Sequence, residues 1–246
     1  MPEGPRVAAP LPGKAIPPRE RLIVALDVPS ASDALALVDH LGDAVWFYKL
    51  GLELFMAGGY FELLDELRRR QRRVFVDLKL FDIPQTVAAA VRQLAKRGAD
   101  FATVHGNERM IEAACKEKGS LRLLAVTVLT SLDESDFRDL GVDVPIEKLV
   151  LSRARRAIAL GCDGVVSSGV EARALREALG PGFLVVSPGI RPLEREDDQR
   201  RVVTPEQAFR DGADYIVMGR PIHGARDPRA AALAVQQTIG ELFGTS

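Results

Sequence analysis

The segment Asp77-Leu78-Lys79-Leu80-Phe81-Asp82-Ile83-Pro84 ends an apolar strand with charged groups that a packed interior would otherwise exclude. Successive strand side chains alternate between faces, so Asp77 and Lys79 share one side while Val76 and Leu78 take the other. Burying a carboxylate and an ammonium is costly unless the two pair. A paired row at the carboxyl end of a strand therefore points to a reaction centre.

Other predicted strands end in similar groups: Asp27 after the first, Lys49 on the second, Thr130 after the fifth. Asp82 follows the third, in the turn before Pro84. Lys49, Asp77, Lys79 and Asp82 make a set of alternating sign that fits a small anionic ligand across the mouth of a barrel. From residue types alone, a structural ion-pair network at a barrel rim is the alternative.

Near the end of the chain, Ile216-Val217-Met218-Gly219-Arg220-Pro221 couples a glycine, which permits close backbone approach, to an arginine fork suited to phosphate. It falls in the loop after the eighth strand, where barrels of this class commonly hold phosphate. The alternative is an arginine packed at a strand end. After the seventh strand, Ser187-Pro188-Gly189-Ile190-Arg191-Pro192 leads into the charged stretch Leu193–Arg201. That stretch reads either as a lid, with Arg191 and Gln199 as ligand contacts, or as an ordinary surface loop. His105, at the end of the fourth strand, reads as a hydrogen-bonded rim residue, and no metal site is expected.

The elements that must position these groups alternate along the chain. Strand candidates are Leu22–Asp27, Val45–Lys49, Val74–Lys79, Phe101–His105, Leu121–Leu129, Gly164–Ser167, Phe183–Ser187 and Tyr215–Met218. Amphipathic stretches lie between them. In the clearest, Val87, Ala90, Val91, Leu94 and Ala95 form a helical stripe that Lys96, Arg97 and Gly98 terminate. Thr204-Pro205-Glu206-Gln207 reads as an N-cap with a capping-box partner, and Asp227-Pro228 opens the last helix. Eight such βα units predict a (β/α)8 TIM barrel with its site on the loops after the strands. An open doubly wound sheet is the rival, but Leu26-Asp27-Val28-Pro29-Ser30 lacks its glycine-rich phosphate turn.

The 246 residues, 47% hydrophobic, suffice for one large core with no internal boundary, so residues 21–246 are expected to form a single catalytic domain. Pro2, Pro5, Pro10, Pro12, Pro17 and Pro18 mark residues 1–20 as a flexible extension. A net charge of -1 gives no cationic footprint for nucleic acid or an anionic membrane. The run Arg68 to Arg73 reads as a solvated helix end. Cys115 and Cys162 offer neither a disulfide framework nor a zinc pattern, and with no span of apolar residues or secretory signal the expected location is cytoplasmic.

In order along the chain, Leu26-Asp27-Val28, Tyr48-Lys49-Leu50-Gly51, Asp77-Leu78-Lys79, Asp82-Ile83-Pro84-Gln85-Thr86, Leu129-Thr130-Ser131, Pro188-Gly189-Ile190-Arg191-Pro192, Asp198-Gln199-Arg200-Arg201 and Met218-Gly219-Arg220-Pro221 resemble the motifs of the orotidine 5'-monophosphate decarboxylases. The resemblance runs from about Leu22 to Phe243. It implies conversion of orotidine 5'-monophosphate to uridine 5'-monophosphate and carbon dioxide in de novo pyrimidine biosynthesis, without a cofactor. Lys79 would then donate the proton that replaces the carboxylate at C6, and Asp77 would crowd that carboxylate. Asp82, with Thr86, would enter the site from the other subunit of a homodimer. Lys49 and Asp27 would hold the ribose and the charge array, Thr130 and Gln199 would contact base or phosphate, and Arg191, Gly219 and Arg220 would close on the phosphate. Ile83 and Pro188 would complete the substrate-binding set. Two departures stand out: Phe81 occupies a position that is usually histidine, and the segment after His105 is shorter than the usual glycine-rich turn.

Two rivals share part of this pattern. The 3-keto-L-gulonate 6-phosphate decarboxylases resemble the Asp-x-Lys strand but use magnesium and carry a glutamate where Lys49 stands, and a lysine there would repel the metal. A non-catalytic barrel that senses pyrimidine phosphates would be expected to have lost one of the four charged residues.

Overall fold

The computed structural model describes residues 14–105, 108–139, 141–191 and 203–244. Strands β1 (Leu22–Ala25), β2 (Phe47–Leu50), β3 (Arg73–Leu80), β4 (Phe101–Val104), β5 (Arg122–Val126), β6 (Gly164–Val166), β7 (Leu184–Ser187) and β8 (Tyr215–Met218) pair in sequence order and close into a barrel. All eight pairings are parallel, and β1 lies against β8 with Ile23 opposite Val217. The (β/α)8 reading therefore holds, and the open sheet is excluded.

The crossovers carry α1 (Ala31–Leu41), α2 (Leu52–Ala57), α3 (Tyr60–Arg69), α4 (Pro84–Lys96), α5 (Glu108–Glu117), α6 (Glu134–Asp139), α7 (Ile146–Ala159), α8 (Ala172–Leu179), α9 (Pro205–Arg210), α10 (Arg220–His223) and α11 (Pro228–Phe243). α4 buries Val87, Val91 and Leu94, as its stripe predicts, and Gly98 at φ +73° ends it. Thr204 Oγ1 accepts from Gln207 N at 3.1 Å, a cap contributing about 1 kcal/mol. The expected capping box does not close, because Gln207 Nε2 donates to Asp211 Oδ2 at 2.8 Å instead.

Two apolar layers result from strand alternation. Val24, Tyr48, Val74, Val76, Ala102 and Val104 face the helices. Ile23, Phe47, Phe75, Phe101, Tyr215 and Val217 point inward and fill the cylinder. Phe101 packs edge-on to Phe47 at 5.0 Å and to Tyr215 at 5.1 Å, so three strands interlock through one aromatic cluster.

Below that cluster, Arg73 reaches inward over the Phe47 ring at 4.4 Å and pairs with Glu20 at 2.6 Å and Asp100 at 3.1 Å. The arginine run is therefore a solvated helix end only in part: Arg69 and Arg70 pair with Glu66, whereas Arg73 closes the barrel floor. The boundary expected at residue 20 is also displaced. Ile16 is buried in the inner cluster, and Lys14 Nζ pairs with Asp214 at 2.8 Å, so residues 14–20 belong to the packed body.

Candidate active site

Registry brings the charged residues together. Phe47, two positions before Lys49, and Phe75, two positions before Asp77, both point into the barrel, and Lys49 lies opposite Phe75. The same alternation aims Lys49 and Asp77 inward, one layer above the aromatic cluster. Ala25 lies opposite Lys49, and Leu26 N donates to Lys49 O at 3.0 Å, which carries Asp27 up beside the lysine.

A continuous chain of contacts follows. Lys49 Nζ is 3.0 Å from Asp27 Oδ1 and 3.6 Å from Asp77 Oδ2, and Lys79 Nζ is 3.0 Å from Asp77 Oδ2. The Asp77 and Lys49 side chains are only 13% and 12% exposed, whereas those at the two ends of the chain, Asp27 and Lys79, are 47% and 33% exposed, so the array is buried at its centre and open at both ends. Desolvated pairs of this kind are costly to form and more costly to break by deleting one member.

The expected sharing of a face by Asp77 and Lys79 is realised through an irregular strand. Between β3 and β4 the register passes from Val76 opposite Ala102 to Leu80 opposite Val104. Lys79 takes a φ of +49°, unusual for a side chain of its size. Leu78 packs on the outer layer. Asp77 Oδ1 also accepts from Thr103 Oγ1 at 3.0 Å.

Three neighbours of the charge array were not singled out from sequence. Thr103 is fully buried on β4 and shares the inward side with Phe101. A Cβ at Gly51 would lie 3.0 Å from Asp27 Oδ1 and 3.2 Å from Lys49 Nζ, so this glycine leaves room for their ion pair. Tyr60, from α3, donates its hydroxyl to Leu50 O at 3.0 Å. Burial first, and the Asp77 charge second, push its phenol well above the usual range and keep it protonated.

Across the mouth, closure of β1 on β8 sets Gly219 beside Asp27, since a Cβ on that glycine would be 3.7 Å from Asp27 Oδ2. Arg220 follows as the exposed first residue of α10. Pro188 and Arg191 lie just beyond β7, where Ile190 bridges Val203 and Arg191 N donates to Val203 O at 3.2 Å. Thr130 is exposed in the loop after β5. Gln199 and the expected lid Leu193–Arg201 lie outside the described residues.

Asp82, Ile83 and Thr86 stand apart from this array. Asp82 Oδ1 accepts from Ile83 N at 2.6 Å, and all three residues are exposed where β3 leads into α4. Phe81, 72% exposed, meets the His105 ring edge-on at 5.9 Å. Among the described residues no cluster of three or more His, Cys, Asp or Glu could hold a metal ion.

His105 has a measurable consequence. Burial, with smaller contributions from the Arg153 and Lys79 charges, holds its imidazole below the usual value of 6.5. The unfolded chain therefore takes up this proton before the folded one. His105 contributes stability that is present above about pH 6.5 and is lost as pH falls through its folded value. Its ring proton resonance, assigned by comparison with His105→Gln, should titrate with a midpoint below 6.5; a midpoint above that value contradicts the assignment.

Comparison with known proteins agrees with the geometry. The model of the "Orotidine 5'-phosphate decarboxylase / HUMPS family" matches residues 20–235. An orotidine 5'-phosphate decarboxylase of Methylococcus capsulatus is 60% identical over 235 residues, covering 95% of this chain and 97% of that protein. One of Stenotrophomonas maltophilia is 54% identical over 223 residues, covering 89% and 92%. The crystal structure of orotidine 5'-phosphate decarboxylase from Lactobacillus acidophilus superposes with a TM-score of 0.80 at 37% identity, covering 89% of this chain and 99% of that one. With matched motifs, a closed barrel and relatives of this similarity over nearly its whole length, the chain belongs to the orotidine 5'-phosphate decarboxylase / HUMPS family.

Proposed function

We infer that this chain decarboxylates orotidine 5'-monophosphate to uridine 5'-monophosphate and carbon dioxide, the step that serves pyrimidine biosynthesis, with Lys79 as proton donor to C6. The observation that carries the reading is the unbroken series Asp27–Lys49–Asp77–Lys79, with contacts of 3.0, 3.6 and 3.0 Å. Cleavage of the bond between C6 and the carboxylate leaves an electron pair on C6. An ammonium already fixed beside it stabilises that charge without solvent reorganisation, and then transfers a proton to the same carbon. Asp77 holds the ammonium in place and crowds the departing carboxylate. Lys49 and Asp27 support the array and bind the ribose. No step calls for a metal or an organic cofactor.

Gly219 and Arg220 on one side, with Arg191 on the other, are assigned to the phosphate, and Thr130, Pro188, Gln199 and Ile83 to the remaining substrate contacts. Binding energy from the distant phosphate can be used to close the site around the reacting ring. Arg220→Ala is expected to lower kcat/KM roughly 10- to 100-fold, the loss of a charged hydrogen-bonding fork. Steady-state rates at varied substrate check this, and an unchanged value removes Arg220 from the phosphate site.

The same reading makes the enzyme a homodimer in which Asp82 and Thr86 complete the neighbour's site. Two observations support it. Asp82 forms no ion pair with any described residue of its own chain, its carboxylate accepting instead from Ile83 N. Apolar residues flank the same rim: Met56 is 79%, Phe81 72% and Ile83 64% exposed. Large apolar side chains left exposed at a barrel mouth are candidates for a contact surface. No helix among the described residues is long and apolar enough to cross a membrane, and a cytoplasmic location remains part of the proposal; residues 1–13 of the expected extension lie outside the described residues.

The direct test is loss of the ultraviolet absorbance of orotidine 5'-monophosphate on adding the protein with a chelator present. Turnover under those conditions is expected. Activity that vanishes with chelation and returns with magnesium would transfer the chain to the sugar-phosphate decarboxylases of the wider family.

A further inference from the structure

We propose that Thr103 is a positioning residue for the decarboxylation, setting the Lys79 ammonium through a hydroxyl that grips both the backbone of Lys79 and the carboxylate of Asp77. The inference rests on the reading of Lys79 as the proton donor. It starts from the defect in the β3–β4 ladder. Three residues of β3, from Asp77 to Lys79, lie between the pairs Val76–Ala102 and Leu80–Val104, and Thr103 alone lies opposite them. Regular pairing cannot satisfy the extra backbone groups, and a buried N–H without a partner is rare and costly.

Thr103 answers that shortage with its side chain. Its Oγ1 accepts from Lys79 N at 2.9 Å and donates its own proton to Asp77 Oδ1 at 3.0 Å. Lys79 sits there at φ +49°, a conformation its neighbours must hold in place. Asp77 is held from several directions: Lys79 Nζ reaches both of its oxygens, at 3.1 and 3.0 Å, and Lys49 lies 3.6 Å from Oδ2. Thr103 is the uncharged member of this set, and it is fully buried, so water cannot take its place. Branching at Cβ also limits the rotamers of threonine, which keeps the hydroxyl aimed. One oxygen thereby sets where the lysine leaves the strand and where its counter-ion stands. Misplacement of a reacting group by a fraction of an ångström affects the chemical step more than the initial binding of substrate.

The test compares Thr103→Val, which keeps the shape and deletes the hydroxyl, with Thr103→Ser, which keeps the hydroxyl. Rates of orotidine 5'-monophosphate decarboxylation are referred to folded protein measured by circular dichroism. Thr103→Val should lose roughly 10- to 100-fold in kcat with KM within about threefold of the parent, the pattern of an interaction that matters in the transition state. Thr103→Ser should recover kcat to within about fivefold of the parent, since both hydrogen bonds can re-form. A role confined to stability would lower the folded fraction and leave kcat per folded molecule unchanged, which would overturn the proposal. So would a serine variant as slow as the valine one, or a rise in KM at constant kcat. Should the valine variant not fold, Thr103→Ala removes the same hydroxyl without adding a methyl group and is judged by the same criteria. Lys79→Ala measured alongside separates the two levels of inference. If it is as fast as the parent, the proton-donor reading fails; if it is inactive while the hydroxyl-deleted variant is unimpaired, only the role of Thr103 fails.

Discussion

Lys79→Ala is expected to lower kcat by roughly 10⁴-fold or more, because in the proposed mechanism one side chain supplies both the positive charge beside C6 and the proton that ends the reaction. The two contributions need not add, since residues acting as a unit lose most of their effect when any one is removed. Substrate binding should be affected much less than turnover. The phosphate contacts assigned to Gly219 and Arg220 lie across the mouth from β3, and removing the ammonium also relieves nothing in that region. Lys79→Ala leaves Asp77 with its Lys49 contact at 3.6 Å and its Thr103 hydrogen bond at 3.0 Å, so the carboxylate is not stranded and the fold should survive. Single-turnover decay of substrate absorbance, with folding checked by circular dichroism, measures the effect. A variant within tenfold of the parent would remove Lys79 from the chemistry and leave the ion-pair chain as a rim network.

Much of this arrangement is legible in the sequence because barrels repeat two periodicities that apolar residues report directly. The apolar run Tyr215–Met218 coincides with β8 at both ends, and the other seven runs each overlap a strand. The ends are less readable. The apolar run Leu121–Leu129 suggests a long fifth strand, yet the ladder stops at Val126 and Val128 is buried by loop packing instead. Apolar composition records burial, whereas strand assignment records pairing, and the two separate at the barrel mouth. Proline content likewise reports poor secondary-structure propensity and not lack of packing: Ile16 and Lys14, within the proline-rich start of the chain, find partners on the barrel floor, among them Asp214, 200 positions away from Lys14.

The charged set was readable because buried charges are costly and therefore conspicuous among apolar neighbours. Thr103 was not. In Phe101-Ala102-Thr103-Val104 a threonine is an ordinary strand residue, and only the bulge on the neighbouring strand gives its hydroxyl a task. The signal that could have found it is its parity with Phe101, which places a polar group on the inward face at the layer of Asp77. Gly51 was likewise invisible as a functional position, since its importance comes from space that Asp27 and Lys49 both occupy.

Asp82 presents the opposite case, a residue readily found by motif that its own chain does not bring into the array. Mixing Lys79→Ala subunits with Asp82→Ala subunits, each inactive alone, is therefore expected to restore activity. In a heterodimer, one site pairs the intact Lys79 of the Asp82→Ala chain with the intact Asp82 of the Lys79→Ala chain. The other site carries both defects. Random exchange at equal concentrations makes about half the dimers mixed, each with one good site of two, so about a quarter of the parental activity should return. Against backgrounds lowered by several powers of ten, that recovery is easily measured, and it should grow on the timescale of subunit exchange. Differently tagged subunits would prove that exchange has occurred. Proven heterodimers with no recovery would mean that Asp82 works within its own chain after a rearrangement of the turn from Phe81 to Pro84, or not at all. Recovery would show that Asp82 serves the site of a second copy, and that a monomer of this barrel has only part of an active site.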